Sequence, residues 1–275
     1  MPVSSDKAAV AAASFAKATL PVAATTLITD DVGLVHRTME VSTPDRPIPA
    51  YCARPVSGAK WPVMLVLSEV FGVHAHIADI CRRFAKLGYL AVAPELFVRQ
   101  GDPSSLNTIP EILSNIVAKV PDVQLMQDLD ATVEWAETEG GDCSRLGVNG
   151  YCWGGRVAWL YAAHSSKVKA AAAWYGRLSG PASDLTPQHP LNMASKLQAP
   201  VLGLYAGEDP GIPLGTVEAM REALAHGSPA AQASEILVYP RVGHAFFADY
   251  RSSYDPHAAT EGWAKAIHWF GAHGV

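Results

Sequence analysis

The residue in this sequence best placed for nucleophilic chemistry is Cys152, within the segment Gly-Tyr-Cys-Trp-Gly-Gly. The segment lies where a predicted strand turns directly into a predicted helix. A nucleophile on such a sharp turn has crowded neighbours, and Gly150 and Gly154 remove the side chains that would collide. The helix start offers free N–H groups and a positive dipole end, which favour a thiolate. We therefore predict Cys152 as the nucleophile, and we assign to core packing the other three cysteines, Cys52, Cys81 and Cys143.

A cysteine nucleophile needs a base that holds its proton and an acid that orients the base. One known chain order for such a triad on a parallel sheet is nucleophile, acid, histidine. Asp209 follows a predicted strand at 201–205, and His244 follows the next one at 235–239. Both therefore fall at the sheet edge where open α/β sheets build their sites. A loop or helix-cap role for Asp209 stays open, and Glu208 beside it is an alternative acid.

Another carboxylate, Glu69, ends the predicted strand 63–67 at the same edge. Its position alone is equally compatible with an acid/base partner for the thiol and with an ordinary loop acid. The backbone N–H groups of Val70 and of Trp153, the residue after the nucleophile, are the predicted oxyanion donors.

The elements that must position these residues alternate between short apolar runs and amphipathic segments. Such alternation predicts one doubly wound α/β domain, with a mostly parallel central sheet and helices on both faces. We place the domain at residues 33–275 and treat residues 1–32 as an N-terminal extension that is mobile or packs outside as a helix. The predicted strands are 38–41, 48–54, 63–67, 89–93, 145–149, 168–174, 201–205 and 235–239, and the predicted helices are 76–87, 123–137, 154–163, 214–225 and 256–270.

Composition excludes several other classes of protein. A net charge of −5 without a basic stripe argues against nucleic acid and against an anionic membrane as partners. Apolar runs are far shorter than the roughly 20 residues that span a bilayer, and the alanine-rich start lacks a basic leader, so we expect a soluble, cytoplasmic protein.

Neither a cofactor nor a metal is expected. The glycines around Cys152 do not have the spacing of a dinucleotide loop, and bulky Tyr151 and Trp153 stand where a pyrophosphate would approach. His74 and His76 form an H-x-H pair, but no third ligand at suitable spacing accompanies them.

Five segments together resemble the dienelactone hydrolase (carboxymethylenebutenolidase) family: L-S-E-V-F-G-V-H, A-P-E-L-F-V-R-Q-G-D, G-Y-C-W-G-G-R, Y-A-G-E-D-P-G-I-P and G-H-A-F-F-A-D-Y-R. They occur in the expected order between about residues 39 and 270. The chain looks more similar to the broadly distributed carboxymethylenebutenolidase-like branch than to the enzymes of chlorocatechol degradation.

The resemblance implies an α/β-hydrolase fold with Cys152, Asp209 and His244 as the triad. It also implies that Glu69 contacts the resting thiol and helps to form the thiolate when substrate binds. Arg99 matches an arginine that holds a substrate carboxylate, and Tyr175 matches a pocket residue. The second arginine departs from the pattern, because Ala248 stands four residues after His244 and Arg251 seven; Arg251 is the candidate, and dienelactone itself is not fixed as the substrate.

The sequence therefore predicts a cysteine-dependent hydrolase, monomeric or weakly dimeric, that acts on a small activated ester or lactone carrying a carboxylate. A thiolate leaves more readily than an alkoxide, so ordinary alkyl esters should be poor substrates. Two alternatives stay open. One is a general carboxylesterase or thioesterase of the same fold, in which Arg99 serves the structure, and the other is a thiol sensor or binding protein that uses Cys152 without turnover.

Overall fold

The computed structural model describes residues 24–275, and its helices and strands alternate along most of the chain. The strands are β1 (Leu34–Val41), β2 (Ile48–Pro55), β3 (Trp61–Leu67), β4 (Leu90–Pro94), β5 (Gly141–Tyr151), β6 (Val168–Trp174), β7 (Val201–Ala206) and β8 (Glu235–Tyr239). The α-helices are α1 (Ala75–Lys86), α2 (Ile109–Asn115), α3 (Asp122–Thr138), α4 (Trp153–His164), α5 (Pro190–Met193), α6 (Leu214–Ala225), α7 (Pro229–Gln232) and α8 (Pro256–Ala272).

All eight strands form one sheet in the order β1-β2-β4-β3-β5-β6-β7-β8. The pairs β1–β2 and β2–β4 are antiparallel. The pairs β4–β3, β3–β5, β5–β6, β6–β7 and β7–β8 are parallel. Strand β4 and the last five residues of β3 are fully buried, as expected for strands covered on both faces. The prediction of a mostly parallel α/β sheet with flanking helices is confirmed.

Element boundaries differ from the prediction where side-chain periodicity is weak. Strand β5 begins at Gly141, four residues before the predicted start, through a polar stretch that pairs with the beginning of β3. Helix α2 was not predicted, although its capping box is visible in the sequence: the Thr108 hydroxyl accepts from the Glu111 N–H, and the Glu111 carboxylate accepts from the Thr108 N–H.

Of the predicted N-terminal extension, residues 1–23 lie outside the described part of the chain. Its last residues contact the domain. The Thr25 hydroxyl donates to the Asp249 carbonyl (2.7 Å), and the Thr29 N–H donates to the Asp79 carboxylate (2.7 Å) on α1. Among residues 24–275, no helix is both long and apolar enough to cross a membrane.

Candidate active site

Cys152 occupies the sharp turn between β5 and α4. Its backbone φ is 53°, a left-handed value that is uncommon outside glycine, and its N–H donates to the Trp174 carbonyl of the neighbouring strand (2.9 Å). A Cβ on Gly150 would lie 2.0 Å from the Gly154 carbonyl oxygen, and a Cβ on Gly154 would lie 2.3 Å from the Leu67 carbonyl oxygen. Only glycine therefore fits two residues before and two residues after Cys152, and the crowding expected from the sequence is steric contact with backbone.

His244 and Asp209, which follow β8 and β7, are joined by a short hydrogen bond. His244 Nδ1 lies 2.6 Å from Asp209 Oδ2, and the other Asp209 oxygen accepts the Gly211 N–H (2.8 Å). Burial tends to lower the pKa of His244, but the negative charge of Cys152 and the hydrogen bonds with Asp209 and Cys152 outweigh it and raise this pKa to about 10. Asp209, not Glu208, is therefore the residue bonded to the ring, and the raised pKa of that ring reflects Asp209 and Cys152 together.

Glu69 is buried beside these side chains and is held by two donors. The Tyr250 hydroxyl donates to Glu69 Oε2 (2.7 Å), and His74 Nε2 lies 3.4 Å from the same oxygen. Burial tends to raise the pKa of Glu69, yet the hydrogen bonds and charges of His74, His76 and Tyr250 lower it to about 2. Glu69 is therefore an ionised carboxylate throughout the neutral pH range.

The start of α4 is attached to the loop that carries Glu69. The Gly154 N–H donates to the Ser68 carbonyl (3.0 Å), and the apolar cluster around Val70 and Phe71 packs against Cys152 and Trp153. Within residues 24–275, the backbone N–H groups of Val70 and Trp153 donate no hydrogen bond to protein. Trp153 is the first residue of α4, where N–H groups have no partner inside the helix, and Val70 lies in the loop after β3, so both N–H groups can donate to an oxyanion.

Tyr175, at the end of β6, packs against the histidine. Its ring centroid lies 5.0 Å from that of His244 in an edge-to-face arrangement. Burial is the main cause that raises the pKa of Tyr175 well above its usual value, and the charges of Glu69 and Cys152 contribute to the shift. Tyr175 is therefore a neutral hydroxyl near the candidate nucleophile.

The two arginines that the sequence predicts as carboxylate ligands have different surroundings. The Arg99 guanidinium donates to the carboxylates of Asp45 (2.6 and 2.7 Å) and Asp128 (2.7 and 3.0 Å) and to the Thr43 hydroxyl (2.8 Å). Two carboxyl groups, those of Asp45 and Asp128, therefore contact the single guanidinium of Arg99. Arg251 lies over the Phe71 ring, 5.7 Å from its centroid, and forms no salt bridge within the described residues.

Sequence reasoning did not find Tyr250 and His74 as partners of Glu69. Tyr250 is separated from Glu69 by 181 positions, so no local pattern links them. His74 was considered only as half of an H-x-H pair; the second histidine of that pair, His76, lies 3.2 Å from the buried Asp249 carboxylate instead. Within the described residues, no group of three or more metal-ligating side chains is assembled.

A family model and the similar known proteins point to the same family. Residues 48–274 match the model of the dienelactone hydrolase family. A protein of Methylorubrum extorquens named "Putative carboxymethylenebutenolidase" is 52% identical over 266 residues, which cover 96% of this chain and 90% of that protein. A protein of Escherichia coli (strain K12) with the same name is 49% identical over 261 residues, covering 94% of this chain and 95% of that protein.

A solved structure extends the likeness to three dimensions. The crystal structure described as a "Putative Dienelactone Hydrolase" from Klebsiella pneumoniae has a TM-score of 0.84 and 48% sequence identity. The match covers 86% of this chain and 98% of that chain.

Proposed function

The chain belongs to the dienelactone hydrolase family and is a hydrolase of ester or lactone bonds, and from this premise we propose that it works through a Cys152–His244–Asp209 triad and an acyl-enzyme. The observation that carries the proposal is the surroundings of the His244 ring. Asp209 holds His244 at 2.6 Å, and the charge of Cys152 raises the pKa of the same ring. An imidazole that is bonded to a buried carboxylate and coupled to a thiol is the arrangement that acyl transfer requires.

The proposed reaction has two halves. In the first, His244 holds the proton of Cys152 and the thiolate sulfur attacks the ester carbonyl. A C–S bond forms, the electron pair of the C=O π bond moves to oxygen, and the Val70 and Trp153 N–H groups donate hydrogen bonds to this oxyanion. The C–O bond then breaks, and the leaving oxygen takes the proton from His244. In the second half, His244 removes a proton from water, the hydroxide attacks the thioester, and the C–S bond breaks to release the acid and the Cys152 thiolate, while the proton stays on His244.

Glu69 has a narrower role in this proposal than family resemblance implies. A carboxylate whose pKa is lowered to about 2 is a weak base, so His244 is the proton acceptor in the mechanism that we propose. Glu69 instead supplies a fixed negative charge beside the reacting groups, and His74, His76 and the Tyr250 hydroxyl together keep it ionised.

A burst assay with an activated aryl ester and with a dienelactone tests the proposal. We expect the wild type to release one equivalent of phenol rapidly from the aryl ester as the acyl-enzyme forms, and Cys152→Ala to lose this burst and the turnover of both substrates. Cys143→Ala is the matched control, because Cys143 is a free, half-buried cysteine outside the candidate site. Wild-type turnover in Cys152→Ala would refute the nucleophile, and a wild type that turns over no ester but oxidises reversibly at Cys152 would favour a thiol sensor.

One observation favours a second candidate function, that of a general carboxylesterase or thioesterase. Arg99 is already bonded to Asp45 and Asp128, so an incoming carboxylate would meet a site whose positive charge is more than neutralised. We propose that Arg99 serves the structure and that any substrate carboxylate contacts Arg251 alone.

Matched glutamine variants separate these roles. For an ester that carries a carboxylate, we expect Arg251→Gln to raise KM about tenfold, the loss of one charge-assisted contact, and to leave a neutral ester of similar size unchanged. Arg99→Gln should lower Tm and affect both esters equally, because it leaves the buried Asp128 without its partner. A KM effect of Arg99→Gln confined to the carboxylated ester would contradict the assignment, and equal insensitivity of both esters to Arg251→Gln would favour the general esterase.

A further inference from the structure

Glu95 is a buried acid that the reaction as described does not use, and its carboxylate lies against the loop that carries Glu69. It directly follows β4, next to β3 in the sheet. Glu95 Oε2 accepts the Val73 N–H at 2.8 Å, and Oε1 lies 3.5 Å from the Phe97 nitrogen, which donates to it. A Cβ on Gly72 would lie within 2.8 Å of both carboxylate oxygens.

The loop from Glu69 to His74 is a tight turn in which the N–H groups of Gly72, Val73 and His74 are hydrogen-bonded. The Gly72 N–H donates to the Glu69 carbonyl (3.4 Å), and the His74 N–H donates to the Gly72 carbonyl (3.1 Å). Gly72 has a φ of 74°, in the left-handed region. The Val73 N–H between them donates to the Glu95 side chain, so a residue outside the loop holds it from the neighbouring strand end.

The backbone of Glu95 is hydrogen-bonded to the central sheet. Its own N–H donates to the Pro49 carbonyl of β2 (2.8 Å), so its backbone belongs to the sheet. Within residues 24–275, Glu95 takes part in no salt bridge, and burial raises its pKa to about 7. Its contacts are therefore those of an acceptor of backbone hydrogen bonds and not those of an ion pair.

We propose that Glu95 is a positioning residue of the active site, whose side chain fixes the Glu69–Val73 loop and so holds the Val70 N–H where an oxyanion forms. This inference rests on the proposed function. Because Glu95 touches the loop and not the substrate, its effect is on the geometry of the oxyanion contact, which contributes mainly in the transition state.

Two conservative variants separate the reach of the side chain from its charge. Glu95→Gln keeps the length and one acceptor oxygen, whereas Glu95→Asp keeps the charge but is one methylene too short for the Val73 N–H. With an activated aryl ester, we expect Glu95→Asp to lower kcat by up to about a hundredfold with little change in KM, because a displacement of about 1 Å at a reacting group can cost that much. Glu95→Gln should remain within about threefold of the wild type, since its remaining oxygen still accepts one neutral hydrogen bond.

Two further variants complete the test. Gly72→Ala pushes the carboxylate away from the other side of the contact and should lower kcat in the same way as Glu95→Asp. Asp142→Ala is the control, because Asp142 also accepts a backbone N–H, that of Ser144, but at the beginning of β5, the opposite end of the strand from Cys152, and it should leave kcat unchanged. Tm, measured for each variant, shows whether the loss of kcat exceeds a loss of folded protein.

Wild-type kcat in Glu95→Asp, or an active Glu95→Asp beside an inactive Glu95→Gln, would overturn the inference while leaving the proposed function intact. A wild type without turnover of any ester would contradict the proposed function, and the role of Glu95 would fall with it.

Discussion

The raised pKa of His244 gives a direct test of the proposed pairing with Cys152. Its pKa is about 10 instead of 6.5. Without screening by water, this difference would correspond to about 4.8 kcal/mol of stabilisation of the imidazolium over the neutral ring. The His244 side chain is 34% exposed, so water screens part of this energy, and Asp209 provides another part. We therefore expect Cys152→Ala to lower the pKa of His244 by about 1 to 2 units, or ~1.4 to 2.7 kcal/mol.

The assay is a pH titration of the histidine ring protons by nuclear magnetic resonance. His244→Asn identifies the signal by its disappearance from among the ten histidines. Cys143→Ala is again the control and should leave the titration unchanged, because Cys143 bonds to the Val133 carbonyl on α3, outside the candidate site. A shift of less than about 0.5 unit in Cys152→Ala would refute the reasoning, since the thiolate would then not be what stabilises the imidazolium.

Two further predictions concern stability. Gly150→Ala should lower the free energy of unfolding, measured in urea, by about 3 kcal/mol or more, because the new Cβ would lie 2.0 Å from a backbone oxygen. Gly215→Ala on α6, where a Cβ meets nothing within 4 Å, should be neutral or slightly stabilising, and equal effects of the two variants would contradict the steric argument. Burial raises the pKa of Glu95 from 4.5 to about 7, so the folded protein binds more protons than the unfolded chain between these pH values, and the unfolding free energy should fall by up to about 3 kcal/mol as pH rises through this window. Glu95→Gln should remove that part of the pH dependence, and an unchanged slope would show that Glu95 does not titrate there.

The alternation of apolar strands and amphipathic helices was sufficient to predict the fold class. A run such as Val63–Leu67 has no polar residue, and a strand of that kind is stable only when both of its faces are covered. Boundaries were less certain where the chain is polar. The beginning of β5 at Gly141 is a strand because β3 lies beside it, and its own residues carry no strand signal.

The candidate site divides in the same way. The crowding around Cys152 is local, since Gly150 and Gly154 are separated from it by one residue each, and a sequence displays such spacing directly. The placement of Asp209 and His244 at one edge follows from the general rule that parallel strands end together. These expectations needed no knowledge of the strand order.

What only the tertiary structure decided is which side chains meet beyond those rules. Tyr250 meets Glu69, and Arg99 meets Asp45 and Asp128, because the order of the strands and the course of the long loops bring distant positions together. Such contacts decide how much of a side chain's charge is available to a ligand. Arg99 could be read from the sequence as an unpaired cation, but in the fold its charge is neutralised by Asp45 and Asp128. The sequence by itself thus predicted the candidate nucleophile and determined its elbow and the sheet that carries it. The ionisation of Glu69, the neutralisation of Arg99 and the contact of Glu95 with the Glu69–Val73 loop depend on long-range packing, since pKa values and hydrogen bonds are set by neighbours in space and not along the chain.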